Sequence, residues 1–205
     1  WITIAGIAVV TMNIHGSIYP TWGESLRFAS FQVISLSTTT GFANANSAIW
    51  PPLSIALITF FTIQCACAGS TSGGMKLDRV VIFFKALKSQ VLRLQHPQAV
   101  IPVRVGKKVI SDDIVSSASL FIVTYLLVML ISTVILASMG VDLLSSFTAT
   151  AATMGNAGPG FGIVGSASNY STIPEPGLIV LSLDMLIGRL EIFGFILLFV
   201  IRSWK

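Results

Sequence analysis

Ser37-Thr38-Thr39-Thr40-Gly41-Phe42-Ala43 is a polar, glycine-bearing loop set between two apolar segments, and Gly155-Asn156-Ala157-Gly158-Pro159-Gly160 echoes it in the second half of the chain. Each loop follows a helix-like run too short to cross a bilayer. In lipid, non-helical backbone is tolerated only where protein buries it or where it lines a water-filled cavity. Two such loops predict main-chain oxygens arranged to replace the water around a passing cation. The expected class is an all-α integral membrane protein, part of an ion channel or transporter.

The composition agrees. Hydrophobic residues make up 54% of the 205 and charged residues 10%, with a mean hydropathy of +0.86. A soluble domain carries about 25% charge, so water is not the main solvent of this surface. Three apolar runs, 52–68, 114–139 and 177–201, have the length that crosses a hydrocarbon core, roughly 20 residues. Residues 1–12 read as the tail of a helix that starts upstream. A cleaved leader is the rival, but neither a basic segment nor a small-residue cleavage pattern precedes His15.

Charge sets the expected orientation. Lys76, Arg79, Lys85, Lys88, Arg93, Arg104, Lys107 and Lys108 fall between the first two runs, opposed by Asp78, Asp112 and Asp113. Lys/Arg excess marks the cytoplasmic side. The chain then enters through 52–75, returns through 114–139 and enters again through 177–201, which puts Arg202 and Lys205 inside. Nucleic-acid binding is the rival for the basic cluster; the flanking runs favour topology, and no nucleic-acid partner is expected. Cys65 and Cys67 would point about 200° apart on a helix and read as packing residues.

The two halves share an order. In the first, Glu24 and Arg27 lead into 28–36, the Thr-Thr-Gly-Phe loop, a polar stretch (Asn44, Asn46, Ser47), then Trp50-Pro51-Pro52 opening a long helix. In the second, Asp142 leads into 143–152, the Gly155–Gly160 loop, a polar stretch (Ser166, Ser168, Asn169, Ser171), then Pro174-Glu175-Pro176. Gly41 against Gly158 also places Leu26 against Leu143. The unit is helix, short re-entrant helix, loop, helix, and two copies of one direction make parallel repeats.

A re-entrant helix aimed into the membrane turns the negative end of its dipole toward the centre, favouring a cation there. Gly41 and Gly158 allow backbone that lets consecutive carbonyls face one axis, and the threonines add hydroxyl oxygens. Oxygen ligands without a nearby carboxylate suit a monovalent ion better than calcium or magnesium. A plain connecting loop is the alternative for either stretch alone; two in register favour a filter.

These motifs resemble the Trk/Ktr/HKT superfamily of potassium and sodium transporters, and within it the bacterial TrkH type. Ala68-Gly69-Ser70-Thr71-Ser72-Gly73-Gly74-Met75-Lys76 looks like the family's glycine-rich helix break, Ala99-Val100-Ile101-Pro102-Val103 like its cytoplasmic connection, and Gly188-Arg189-Leu190-Glu191 like its final inner helix. Four pore units surround one pore in that family, and this chain corresponds to the third and fourth. The resemblance assigns 1–96 to the third unit, with pore helix 24–37, filter 38–43 and a broken helix 52–96. It makes 97–112 the cytoplasmic connection. It assigns 113–205 to the fourth unit, with helix 113–139, pore helix 142–154, filter 155–160 and helix 177–203. It implies Thr39, Thr40, Gly41, Phe42, Asn156, Ala157, Gly158 and Pro159 as filter residues for K+ or Na+, with no covalently bound cofactor. It further implies potassium uptake in a multi-pass protein of the bacterial inner membrane. The partners it implies are lipid, the two other pore units, a second subunit making a homodimer, and a cytosolic nucleotide-binding TrkA-type regulator.

Gly69, Ser70, Thr71, Ser72, Gly73 and Gly74 contain no large side chain, so the run is expected to unwind within the membrane and face the pore. The resemblance implies a movable barrier there; tight helix packing through small residues is the alternative. Arg189 would lie about 18 Å into the last run, where charge needs water or a partner. It reads as a gate charge in the conduction path or, as the rival, an ion pair with Asp184 or Glu191. Spacings of five and two residues suit neither acid on one helix face, so a pairing would sooner be to another helix. Residues 80–95 form a basic amphipathic helix suited to anionic headgroups, or by resemblance to the regulator. Residues 100–110 read as a hairpin turning at Gly106. An alternating-access carrier remains the nearer rival. An intramembrane serine protease, suggested by Ser70-Thr71-Ser72-Gly73, lacks a histidine base in any long run.

Overall fold

The computed structural model describes residues 1–64, 69–70, 73–96, 101–190 and 194. In chain order the helices are α1 (Ile2–Ile14), α2 (Trp22–Ser37), α3 (Pro52–Gln64), α4 (Leu77–Gln95), α5 (Asp112–Ser138), α6 (Leu143–Gly155) and α7 (Glu175–Arg189). Two short strands, β1 (Arg104–Val105) and β2 (Lys108–Val109), pair antiparallel through a turn at Gly106. Single turns of 3₁₀ helix stand at Ser47–Ile49, Gly162–Val164 and Tyr170–Thr172.

The helix starts follow from capping chemistry. The Thr21 hydroxyl accepts from the Glu24 amide at 3.3 Å and donates to the Glu24 carboxylate at 3.0 Å, a reciprocal cap on α2. Asp142 accepts the Ser145 amide at 3.0 Å to start α6. Prolines open α3 and α7, at Pro52 and at Pro174 and Pro176, where a missing N–H costs nothing. Asp112 and Asp113 sit in the first turn of α5, at the positive end of its dipole.

Each half folds as a three-helix group in which the middle helix touches both neighbours: α1, α2 and α3 in the first, α5, α6 and α7 in the second. The groups join where α3 packs on α6 and where Ala157 and Phe161 enter the apolar cluster built by Val10, Val33, Trp50 and Ile58. Helix α6 is buried from Thr148 to Gly155. Its hydroxyls are satisfied within the helix: Thr148, Thr150 and Thr153 donate to the carbonyls four residues back at 2.8–2.9 Å.

Helix α5 has 27 residues and is the one helix among the described residues long and apolar enough to cross a membrane. Its outward face is Leu120, Val123, Leu127, Leu130, Ile131 and Val134, while its inward face carries Tyr125, Ser132 and Thr133. Apolar outside and partly polar inside is the pattern lipid favours and water penalises. Helix α3 is described to Gln64 and α7 to Arg189; the rest of the expected runs 52–68 and 177–201, with Cys65 and Cys67, lies outside the described residues apart from Leu190 and Gly194.

Helix α4 resumes after the glycine-rich break and packs on α5, with the Arg79 guanidinium 4.0 Å from the centre of the Phe121 ring. Some of its basic side chains also bond within the chain. Lys85 Nζ donates to the Arg104 carbonyl at 2.6 Å, and Arg93 Nη2 and Ser89 Oγ donate to the Ile101 carbonyl at 3.0 and 2.9 Å. Lys85 and Arg93 thus hold the strand connection against α4, while Lys85 and Lys88 are both exposed.

The α6 cap is testable. Hydrogen bonds from Ser145 hold the Asp142 carboxyl below the usual carboxylate range. Its folded value being depressed, its contribution is complete above the ordinary value of 3.8 and fades as pH falls through the lowered one. Asp142→Ala is expected to cost about 1 kcal/mol and Asp142→Asn much less, read as thermal unfolding of the full-length protein in detergent.

Candidate functional site

The two glycine loops meet. A Cβ built on Gly41 would run into the carbonyl oxygen of Ala157 and lie 3.7 Å from Pro159 Cδ. Only glycine lets the first backbone come this close to the second. Gly41 also adopts φ +78°, in the left-handed region that side chains disfavour.

The loops match bond for bond when Gly41 is set against Gly158. Thr40 N donates to Ser35 O at 2.8 Å, and Ala157 N to Ala152 O at 2.9 Å. Thr39 N reaches Leu36 O at 3.2 Å, and Asn156 N reaches Thr153 O at 3.0 Å. Thr39 and Asn156 have φ of +56° and +55°, the two positive values among described non-glycine residues. A β-branched residue in that region is a genuine outlier, held by its surroundings. Each loop leaves the C-terminal end of a short helix, where unpaired carbonyls favour a cation.

Side chains from each short helix tie down the backbone that follows. Gln32 donates to Ala45 O at 3.0 Å and Ser35 to Phe42 O at 2.6 Å. In the second half, Thr148 accepts from Phe161 N at 3.0 Å and Ser145 from Ile163 N at 2.9 Å. Across the halves, the Ser166 hydroxyl donates to Ala45 O at 3.0 Å and accepts from Ser47 N at 3.2 Å. The Tyr170 hydroxyl donates to Gly158 O at 2.6 Å. Ser35, Ser166 and Tyr170 escaped the sequence reading. Ser166 lay in a quoted polar stretch, but no short-range pattern reveals a bond spanning 121 residues.

The helix break reaches the same place. Gly69, Ser70, Gly73 and Gly74 lie outside any helix, and Thr71 and Ser72 fall outside the described residues. A Cβ on Gly73 would lie 2.8 Å from the Asn156 amide nitrogen and 2.9 Å from Gly155 O. Helix α7 seals the other side: a Cβ on Gly188 would strike the Met154 carbonyl, and Asn156 Nδ2 donates to Met185 O at 3.2 Å. A cavity of about 550 Å³ opens here, walled by Thr39, Thr40, Asn156 and Gly158 and by Ser182 and Met185 of α7; no charged side chain lines it among the described residues. Among the described residues, no group of three or more His, Cys, Asp or Glu is placed to hold a metal ion. Ala157 is buried, while Thr40, Gly158 and especially Phe42 are exposed.

Arg189 ends α7, exposed, immediately after Gly188. Asp184 is not its partner: the buried carboxylate accepts from Ser132 of α5 at 2.8 Å, and its second oxygen has no hydrogen-bond partner. Glu191 lies outside the described residues.

The family profile of TrkH cation transport proteins matches residues 4–204. The chain belongs to the TrkH family. It is 34% identical over its whole length to the Trk system potassium uptake protein TrkH of Salmonella typhimurium, covering 42% of that protein, and 32% identical to TrkG of Escherichia coli with the same coverage. The crystal structure of the potassium transporter TrkH from Vibrio parahaemolyticus superposes with a TM-score of 0.87 at 34% identity, over 100% of this chain and 43% of that one. The chain therefore spans about two-fifths of the relatives it matches. Membership makes it part of an all-α membrane transporter and sets the protease reading aside, because this is a family of transport proteins, not enzymes.

The contact at Gly188 yields a stability test. Gly188→Ala forces a methyl group onto the Met154 carbonyl and is expected to destabilise by roughly 2 kcal/mol. Gly23→Ala, at a helical glycine with nothing within 4 Å, is expected to stabilise by up to about 1 kcal/mol. Thermal denaturation of both full-length variants against the parent checks the pair.

Proposed function

We propose that this chain forms half of a potassium-conducting pore, with the loops at 38–43 and 155–160 as its third and fourth filter segments. The observation that carries the reading is the approach of Gly41 to the Ala157 carbonyl, which sets two similarly bonded, left-handed loops side by side at the ends of two short helices. Thr39, Thr40, Gly41, Phe42, Asn156, Ala157, Gly158 and Pro159 then offer neutral oxygens to a dehydrated monovalent cation. The relatives named as potassium uptake proteins support K+ as the cargo.

The short helices α2 and α6 act as re-entrant pore helices in two parallel repeats. Two further units of the same protein complete the ring, and lipid surrounds it in the bacterial inner membrane. The break at 69–74 serves as the gate: Gly73 lies against Gly155 and Asn156, so movement of the break acts directly on the end of the fourth segment. Arg189 supplies positive charge on the conduction path at the α7 terminus. The basic stretch from α4 through β2 faces the cytoplasm, where a nucleotide-binding TrkA-type subunit docks on a homodimer.

Potassium uptake by the full-length protein, in cells lacking their own uptake systems, tests this reading. Gly41→Ala is expected to cut uptake about tenfold or more through strain and collision. Arg189→Ala is expected to raise it by lowering the barrier to a cation. Unchanged uptake in both variants would overturn the assignments. Large single-channel currents in planar bilayers are expected of a pore; slow, saturating turnover would instead establish an alternating-access carrier.

A further inference from the structure

We infer that Tyr170 and Ser35 are positioning residues: each pins, through its hydroxyl, one loop carbonyl, and together the two pins set how strictly the pore discriminates among monovalent cations. The inference rests on the pore reading above and adds to it two side chains outside the loops.

Tyr170 Oη donates to Gly158 O at 2.6 Å. That carbonyl belongs to the peptide joining Gly158 to Pro159. Proline has no N–H, so the peptide has no donor of its own, and its carbonyl is the one handle by which its plane can be fixed. Gly158, at φ +99° with nothing within 4 Å of a built Cβ, offers no steric resistance to rotation. The tyrosine supplies the missing restraint.

The first loop is held from the other side, at a carbonyl one position later in the repeat. Ser35, on the short helix behind it, donates to Phe42 O at 2.6 Å, next to Gly41. The corresponding residue of α6 is Ala152, wholly buried and without a hydroxyl. The chain uses 42–51 to reach α3 but 159–174 to reach α7, and Tyr170 stands on that longer path. The second loop therefore takes its hydroxyl from the longer connection rather than from the short helix. Tyr170 is itself held: it packs against the apolar cluster that contains Leu136, Val164 and Ile173, and Asn169 caps its helical turn by accepting Ser171 N at 3.1 Å. Burial pushes its hydroxyl up to about 12, so it remains a donor throughout the physiological range.

A pinned carbonyl can neither swing toward a smaller cation nor retreat from a larger one, so pinning affects the difference between ions more than transport itself. The test measures potassium, rubidium and sodium uptake by the full-length protein, with membrane abundance determined for each variant. Tyr170→Phe removes the hydroxyl and keeps the ring; Ser35→Ala does the same for the first loop. Each is expected to retain measurable uptake and to change the potassium-to-sodium ratio about threefold or more. Uptake lower for all ions in proportion, with the ratio unchanged, would reduce both residues to structural clasps and overturn the inference. If Tyr170→Phe does not accumulate, an unchanged ratio in Ser35→Ala overturns it. Absence of potassium uptake by the parent protein would instead defeat the pore reading.

Discussion

Two stretches of irregular backbone approach one another in this fold without a side chain between them, and the arrangement of the helices serves that approach. Gly41 lies against the Ala157 carbonyl, Gly73 against the end of α6, and Gly188 against Met154 O. All three contacts converge on a few residues at the C-terminal end of α6. A helix can be enclosed this tightly only if its side chains are small and its polar groups need nothing from outside. The Thr, Ser and Ala residues of α6 meet the first condition, and its threonines meet the second by donating back to their own helix.

The second requirement is polar satisfaction away from water. The chain meets it locally within each half, since Gln32 and Ser35 serve the backbone after the first loop, and Ser145 and Thr148 serve that after the second. It then adds a bridge between halves through Ser166. This division of labour allows the two loops to keep the same hydrogen bonds up to their glycines although the side chains behind them differ. The backbone geometry is shared; the means of holding it is particular to each half.

Much of this was legible in the residues because its causes are local. The glycines at 41 and 158 announce positive φ, the apolar run of α5 announces its length, and Gly106 announces the hairpin. What escaped was decided by partners distant in sequence. Tyr170 looked like one aromatic residue in a polar stretch, since nothing nearby shows that it reaches Gly158. The charges of Lys85 and Arg93 are visible in sequence, but their carbonyl acceptors, 19 and 8 residues on, are not. The five-residue spacing already disfavoured a pairing of Asp184 with Arg189, and Asp184 instead accepts from Ser132 on another helix. Thr39 is the opposite case: threonine gives no sign of a left-handed backbone, yet its place in the repeat, opposite Asn156, carries the conformation.

The exposed side of α2 follows from the same physics. Its partner α6 is enclosed by this chain, whereas α2 presents Trp22, Leu26, Phe31 and Ile34 outward, and Phe42 extends from the loop beyond it. Beside them a second cavity of about 570 Å³ is walled by Arg27, Ser30, Ser35, Thr38, Thr40 and Asn44. Apolar helix surface alone could face lipid. Loop backbone and polar side chains at 38–44 could not, because hydrocarbon offers them no hydrogen-bond partners. Water or protein has to meet this surface.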